Sequence, residues 1–320
     1  MSLPIGQIIG ILADNLRIRK SVMPLSTGRS TKWAKDLKLP FGGETVIYTG
    51  NMYQLMPYTA SMSSMVAKLD GSWITKTMGL GRIVNKFVNI SWFMAFPGRK
   101  QVQENNNRLR NIARLLRSAG VDFGYLYDKE LYAGALVHEH GMEEVFRDHV
   151  KTVYDRLKKY GVKRVITVDP HTTNVMRTVY PGIVENFDIE VKSYIEVLAE
   201  LAPEPERMID RQVIVHDSCV YARNEDLIDQ PRTLLERAGF RIVNPENSGR
   251  LTLCCGGPVE SLFPKKAGEI ASTRVEQLKA GGGNDVVTMC PVCHLNMSHA
   301  AKDNGLSLSD LSDYLAEAYC

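Results

Sequence analysis

Cysteine is absent from the first 218 residues of this 320-residue chain, and all six cysteines lie in the last 102. The sequence also has no uncharged apolar run as long as the roughly 18 to 20 residues that a membrane-spanning helix requires. Its first residues, Met1–Ile5, lack the positive segment that begins a secretory signal. The net charge of +3 is too small to indicate binding to nucleic acid. These absences predict a cytoplasmic protein without a transmembrane segment.

The composition is that of an ordinary globular protein, with 44% hydrophobic and 23% charged residues. It excludes a disordered chain, a collagen and a coiled coil. Short apolar segments alternate with amphipathic ones, which predicts α/β domains with mainly parallel sheets. The predicted strands are Val46–Tyr48, Val165–Val168, Val213–Val215, Leu251–Leu253 and Val286–Met289.

The two halves of the chain resemble each other. Leu115–Gly120 corresponds to Leu234–Gly239, Val165–Pro170 to Asp285–Pro291, Tyr132–Gly134 to Cys254–Gly256, and Asn51 to Cys219. This self-similarity indicates two copies of one α/β unit, with thiols only in the second copy. We therefore predict a first domain over residues 44–205 and a second domain over residues 206–320.

Two basic segments lie outside this repeat. The predicted N-terminal arm is residues 1–43, of which the first 40 carry seven Lys or Arg and only two Asp. Such an arm could dock to an acidic partner or a membrane surface, or could simply be a solvated face. The first copy also has an insertion, residues 71–105, which is rich in Trp, Phe and basic residues. It suits either a protein interface or a local core under a long loop.

Five cysteines are spaced so that they should meet: Cys219, Cys254, Cys255, Cys290 and Cys293. Each of the three groups follows a predicted apolar strand. The carboxyl ends of parallel strands gather at one edge of a sheet, where ligands commonly bind. The sequence therefore predicts that the five thiols share one site.

Several groups could occupy such a site. A single zinc ion takes four tetrahedral ligands, but the adjacent Cys254 and Cys255 tend to point in different directions. An iron–sulfur cluster presents several irons, which neighbouring thiolates can reach separately. Gly256 and Gly257 would let backbone N–H groups approach the sulfur atoms. A reducing compartment disfavours disulfides. The pattern favours a cluster over zinc and over inert thiols.

Three stretches carry a family resemblance: His216-Asp-Ser-Cys219, Leu253-Cys-Cys-Gly-Gly-Pro258 and Met289-Cys-Pro-Val-Cys-His294. They resemble the cysteine-rich CCG domain of the B subunit of heterodisulfide reductase. The same domain occurs in iron–sulfur subunits of enzymes that oxidise glycolate, lactate and glycerol-3-phosphate. The resemblance implies two facing domains and a non-cubane [4Fe-4S] cluster. It also implies that the cluster ligands here are Cys219, Cys254, Cys255, Cys290 and Cys293.

The chain departs from that family in its first copy, where Asn51, Tyr132, Ala133, Asp169 and Thr172 replace the ligands. It also lacks the Cys-x2-Cys-x2-Cys-x3-Cys run of a ferredoxin. We therefore expect one cluster and electron transfer through partners, which by resemblance are a ferredoxin-like subunit and a flavoprotein. The expected function is that of an oxidoreductase subunit in a heterodisulfide-reductase-like complex, acting on a thiol, a disulfide or protein-bound sulfur. The alternatives are an electron-relay subunit of a 2-hydroxy-acid dehydrogenase and a structural zinc scaffold.

Other candidate residues carry weaker signals. His138, His140 and His171, with Asp169, could form a replacement site, although polar loop residues are the more ordinary interpretation. His216 and His294 flank the cysteines and could tune a redox potential or carry protons, but packing explains them equally well. Cys320 is the last residue and is interpreted as a free end. Gly281–Gly283 precedes a strand instead of following one, which excludes a dinucleotide-binding turn.

Overall fold

Two parallel sheets organise the chain in this computed structural model, which describes residues 5–69, 78–89, 95–260 and 262–320. The first sheet has the order β1-β2-β3 and the second has the order β5-β4-β6-β7. Every pair of neighbouring strands is parallel. The strands are β1 Thr45–Tyr48, β2 Arg164–Thr167, β3 Glu190–Ser193, β4 Gln212–Val215, β5 Arg241–Val243, β6 Asp285–Thr288 and β7 Ser307–Asp310.

Helices connect the strands, as parallel pairing requires. In the first part of the chain they are α1 Ile5–Arg19, α2 Thr27–Ser30, α3 Met52–Leu69, α4 Met78–Phe87, α5 Arg99–Ser118, α6 Ala135–Glu139, α7 Glu143–Lys159, α8 Pro170–Asn174 and α9 Tyr194–Leu201. In the second part they are α10 Cys219–Asn224, α11 Asp229–Arg237, α12 Pro264–Ala280, α13 Pro291–Asp303 and α14 Leu311–Tyr319. The α/β architecture predicted from the sequence is confirmed.

The two domains share local details, although the first sheet has three strands and the second has four. A helix follows the last strand of each, and each helix begins with a capping box, formed by Ser193 with Glu196 and by Asp310 with Asp313. Helix α8 follows β2 and helix α13 follows β6, and in both helices a Pro comes directly after the N-cap residue. The N-cap is Asp169 in α8 and Cys290 in α13. The prediction of two similar α/β domains is therefore confirmed.

The domains face each other through equivalent helices. Helix α3 packs on α13 while α8 packs on α10, and α5 packs on α14 while α9 packs on α11. One buried apolar cluster runs across the boundary and includes Ile47 and Ile166 of the first sheet with Val213 and Val287 of the second. The packing therefore brings the carboxyl ends of both sheets to one interface.

The basic N-terminal segment contacts part of the insertion. Helix α1 packs on α4, where the Arg82 Nε donates to Asp14 Oδ2 at 2.7 Å. The inner face of α4 is polar, because Asn85 also donates to Asn15 at 2.8 Å. Its outer face exposes four apolar side chains, those of Ile83, Val84, Phe87 and Val88. Trp73, Lys76, Trp92 and Phe93 of the predicted insertion lie outside the described residues.

None of the helices within the described ranges is both long and apolar enough to cross a membrane.

A buried ion pair across the domain interface gives a testable prediction. Arg177 contacts Glu225 of the second domain at 2.5 Å and Glu196 at 2.8 Å, and the Glu225 side chain is only 2% exposed. Loss of one partner leaves a buried charge uncompensated. We expect Arg177→Met to lower the free energy of unfolding by about 2–3 kcal/mol in urea titrations.

The matched control is Arg164→Met. The ion pair of Arg164 with Glu190 is similarly short, at 2.6 Å, but both side chains are about half exposed. Such a pair contributes less than about 1 kcal/mol. Equal destabilisation by the two substitutions would contradict the importance of the Arg177 contact for holding the domains together.

Candidate metal centre

Cys219 is placed by strand β4 and the three residues that follow it. The strand is buried because Val213, Ile214 and Val215 face the core on both sides. Asp217 accepts two hydrogen bonds from Arg232, at 2.7 and 2.9 Å, and is 1% exposed. These contacts fix the turn, so that Cys219 is the first residue of α10.

Cys290 and Cys293 are placed by strand β6 and helix α13. Cys290 is the N-cap residue of that helix, and Pro291 occupies its first position. Pro suits this position because the N–H that it lacks would have no helical partner there. Cys293 then lies in the first turn, and both cysteines are buried at the helix N-terminus.

Cys254 and Cys255 follow a turn, and the predicted strand Leu251–Leu253 is wrong. Gly249–Leu251 form a 3₁₀ turn, and an irregular segment leads from it to Gly256. The Gly249 N–H donates to Asp217 Oδ2 at 2.7 Å and the Thr252 hydroxyl donates to the Asp217 carbonyl at 3.0 Å. These bonds hold the backbone of residues 249–252 against the turn before α10. The segment is not part of the sheet, in which β5 pairs with β4 on that side.

The structure brings the five predicted thiols together in a row. Cys219 Sγ and Cys254 Sγ lie 3.6 Å apart. Cys254 and Cys255, Cys255 and Cys293, and Cys293 and Cys290 are likewise neighbours, and each thiol shifts the pKa of the next. Backbone donors lie along this row, since the N–H of Gly256 is 3.4 Å from Cys254 Sγ and the N–H of Gly257 is 3.3 Å from Cys255 Sγ.

The row runs from a partly accessible end to a buried end. Cys219 and Cys254 are half-buried, whereas Cys255, Cys290 and Cys293 are at most 3% exposed. Across the described ranges, no three Cys, His, Asp or Glu side chains surround one point as a single metal ion would require.

Two glycines make the Cys254–Cys255 loop possible. Gly256 has φ +78°, as its counterpart Gly134 in the first domain has φ +91°, a conformation that other residues rarely adopt. A Cβ atom on Gly257 would lie 2.4 Å from Val292 Cγ1 and 3.2 Å from Cys255 Sγ. The loop can therefore approach α13 only because position 257 has no side chain.

The first domain supplies a charged residue to the buried end of the row. His171, which is 4% exposed, hydrogen-bonds through Nδ1 to Glu139 and lies close enough to Cys290 to interact with its thiol electrostatically. Burial disfavours its charged form, but the negative charges of Glu139 and Cys290 outweigh that and raise the pKa of His171 well above its usual value. Burial likewise opposes ionisation of Cys290, yet contacts from Cys293 and His171 lower its pKa to about 5. The geometry therefore favours a thiolate–imidazolium pair.

The predicted replacement site does not form as a separate site. His171 faces the thiols, whereas His138 lies beside the half-exposed Glu143 at 3.2 Å. Asp169 caps α8 by accepting the Thr172 N–H at 3.0 Å, and its other oxygen is buried without a partner in the described structure. The Tyr132 hydroxyl accepts the Leu136 N–H at 2.8 Å and so holds the start of α6.

Three hydrogen-bond donors around the thiols are buried and have no acceptor among the described residues: His216 Nε2, Ser218 Oγ and Arg274 Nη2. The tautomer of His216 follows from its contacts, because Arg274 Nε donates to His216 Nδ1 at 3.2 Å and the ring proton must then lie on Nε2. Burial is the main cause and the positive charge of the nearby Arg274 is the second cause of a lowered pKa for His216, which is about 3, so the ring is neutral. Unsatisfied buried donors are expected where an acceptor-rich group binds.

Arg274 was missed in the sequence, although it carried a signal. It lies on the buried face of α12, which it shares with Ala267, Ala271 and Leu278, and is itself fully buried. A charged residue within an apolar helical stripe requires a partner. Its closest contacts are nevertheless neutral: His216, two backbone carbonyls and the Gln277 side chain. The residues present thus fit a buried anionic group that has several sulfur acceptors.

The remaining candidates lie elsewhere. His294 Nε2 is 2.8 Å from Arg108 Nη2, and burial with that neighbouring charge lowers the pKa of His294 to about 3. It therefore belongs to the interface between α5 and the second domain. Cys320 is exposed, with its Sγ 3.9 Å from Ser118 Oγ, and is not part of the thiol row.

A cavity of about 390 Å³ lies between the domains beside the thiols. Helix α3 forms one wall with Met52, Leu55 and Met56, and α13 forms the other with Val292 and Leu295. Gly257, which adjoins Cys255, and Glu139, which hydrogen-bonds to His171, also line it. No cysteine is among the described lining residues, so the cavity approaches the thiol row through Gly257.

Comparison with known proteins gives two matches to one family model, the cysteine-rich CCG domain, over residues 96–177 and 213–298. The second match contains all five thiols of the row. The first contains Tyr132, Ala133, Asp169 and Thr172, the residues that stand where ligands were expected.

Three relatives illustrate the proteins to which the chain is similar. The EtfAB:quinone oxidoreductase of Syntrophomonas wolfei is 33% identical over 57% of this chain and 27% of its own length. The probable iron-sulfur-binding oxidoreductase FadF of Bacillus subtilis is 29% identical over 65% and 31%. One component of the dihydromethanophenazine:CoB–CoM heterodisulfide reductase of Methanosarcina mazei is 26% identical over 64% and 54%. The similarity thus covers only about a quarter to a half of each relative.

Proposed function

This chain belongs to the cysteine-rich CCG domain family, whose model matches just over half of its residues, and from that premise we propose that it is an iron–sulfur subunit of an oxidoreductase complex. The family resemblance predicted from the sequence is confirmed. In the proposal, Cys219, Cys254, Cys255, Cys290 and Cys293 hold one non-cubane [4Fe-4S] cluster. Cys255 and Cys254 reach different irons, which a single zinc ion does not offer.

One observation carries the proposal: a row of five thiols is surrounded by buried donors that lack acceptors among the described residues. When bound, the cluster would supply one-electron redox chemistry and an iron that can accept an external sulfur atom. The chain stabilises negative charge there through the N–H groups of Gly256 and Gly257 and through His171. Burial of Cys290 and Cys293 excludes water from that end of the row.

The proposed reaction is electron transfer to or from a thiol, a disulfide or a protein-bound sulfur species, as in heterodisulfide-reductase-like complexes. The interdomain cavity supports it, because a sulfur compound in the cavity would lie beside Gly257 and Val292, next to the thiol row. A pure relay subunit, such as one serving a 2-hydroxy-acid dehydrogenase, has no need of a ligand cavity at its cluster.

We further propose that the chain works in the cytoplasm with a ferredoxin-like iron–sulfur subunit and a flavoprotein. With no cysteine in the first domain, a second cluster of this type has no thiol ligands there. In the proposal, electrons reach the thiol site from the ferredoxin-like partner. The outer face of α4, with Ile83, Val84, Phe87 and Val88 exposed, supports contact with a partner subunit or with a membrane surface.

Binding of a small thiol to the oxidised cluster tests this function. We expect 2-mercaptoethanol, added anaerobically, to change the electron paramagnetic resonance and visible spectra of the iron-containing chain at a saturable concentration. Cys320→Ser serves as the control, and its spectra should respond as the wild type does because Cys320 is outside the row. Spectra that stay unchanged at every thiol concentration would favour the relay function instead.

The buried Arg274 gives a second test, which uses the midpoint potential of the cluster. A unit charge at roughly 7–10 Å is worth on the order of 2 kcal/mol at an effective dielectric constant near 20, or about 90 mV for one electron. We expect Arg274→Met to lower the potential by roughly that amount, whereas Arg274→Lys, which keeps the charge, should restore most of it. An unchanged potential in Arg274→Met would show that this cation is not the counter-charge of the cluster.

A further inference from the structure

The cavity beside the thiols has walls of two kinds. Most of its surface is apolar, with Met52, Leu55 and Met56 of α3 opposite Val292 and Leu295 of α13. Its volume of about 390 Å³ suits a small molecule and not a protein segment. A ligand that fits these walls is compact and largely apolar.

The ionisable groups that line the cavity are mainly acidic. Glu139 and Glu260 both line it, and the described lining contains no Lys or Arg. His299 also lines it, but its side chain is 90% exposed and lies 3.5 Å from Asp303. The described lining therefore has no group that is built to receive a sulfonate, a phosphate or a carboxylate.

The two carboxylates differ in whether a positively charged group balances them. Glu139 accepts a hydrogen bond from His171, whose charge balances it. Glu260 accepts one from the Ser63 hydroxyl at 3.2 Å, and no ion pair with Lys or Arg exists for it among the described residues. Burial raises the pKa of Glu260. A neighbouring anion would therefore either repel its carboxylate or force it to take up a proton, and both oppose binding.

The lysines near the cavity do not neutralise the carboxylate of Glu260. Lys265 and Lys266 follow Pro264, which lines the cavity, but both are exposed, and Lys266 pairs with Glu269 at 2.8 Å. Salt and water screen charges at such positions. Among the described lining residues, Glu260 is therefore the carboxylate without a compensating cation.

We propose that this cavity binds sulfur compounds that are neutral or carry an amine, and that it excludes those with an anionic group. The proposal rests on the proposed function, because it names the substrate class that would reach the cluster. Discrimination comes from Glu260, while the sulfur atom of the ligand lies against Gly257, the lining residue that adjoins Cys255.

Three thiols with the same two-carbon chain and different terminal groups test the proposal: 2-mercaptoethanol, cysteamine and 2-mercaptoethanesulfonate. Each is titrated anaerobically into the oxidised, iron-containing full chain, and the dissociation constant is taken from the spectral change of the cluster. We expect the sulfonate to bind at least about tenfold more weakly than the alcohol, and the amine to bind as tightly as the alcohol or more tightly.

Variants of Glu260 assign the effect to this residue. Glu260→Gln should remove most of the difference between the dissociation constants of the sulfonate and the alcohol. Glu260→Asp keeps the charge and should retain the discrimination, which separates the electrostatic effect from a loss of packing. Glu269→Gln is the matched control on α12, because the Glu269 side chain is 65% exposed and does not line the cavity.

The outcomes separate the two proposals. If all three thiols bind equally, or if the amine binds most weakly, the charge selectivity is overturned while thiol binding at the cluster stands. If discrimination persists in Glu260→Gln, the assignment to this cavity is overturned. If none of the thiols changes the cluster spectra, the proposed function itself fails, and the substrate class fails with it.

Discussion

The packing of the two parallel sheets against each other decides where every group at the thiol site lies. Cys219 and Cys290 follow strands of the second sheet, and His171 follows a strand of the first. They meet because α8 packs on α10 and α3 packs on α13, over a buried core that both domains share. The thiols themselves belong to the second domain, but the contact with His171 and the cavity exist only when the two domains are packed together.

The first domain is specialised and not merely a copy without ligands. Its sheet has three strands instead of four, and it keeps the left-handed Gly134, but it places Asp169 where the second domain has Cys290. It has no thiols there. Instead, its His171 and Glu139 lie at the buried end of the thiol row, and its helix α3 forms a wall of the cavity. The two copies therefore divide one site between them: the second domain supplies the thiols, and the first supplies charged side chains and one wall of the cavity.

The sequence predicted the buried strands and the meeting of the thiols, because both depend on local signals. Val213–Val215 and the strand ending before Cys290 are apolar, and parallel strands end at a common edge. Three edge strands, β3, β5 and β7, were missed. Strands β3 and β7 are largely polar and show no apolar run, and β5 has only three residues. The contact of His171 with Cys290 could not be predicted, because it depends on how two domains dock.

Metal analysis tests whether the five thiols hold one iron–sulfur cluster. Iron, zinc and acid-labile sulfide are measured per chain on protein purified without oxygen. We expect about four irons with matching sulfide in the wild type, and their loss in Cys255→Ser but not in Cys320→Ser. About one zinc per chain without sulfide would contradict it and would leave a structural scaffold in its place.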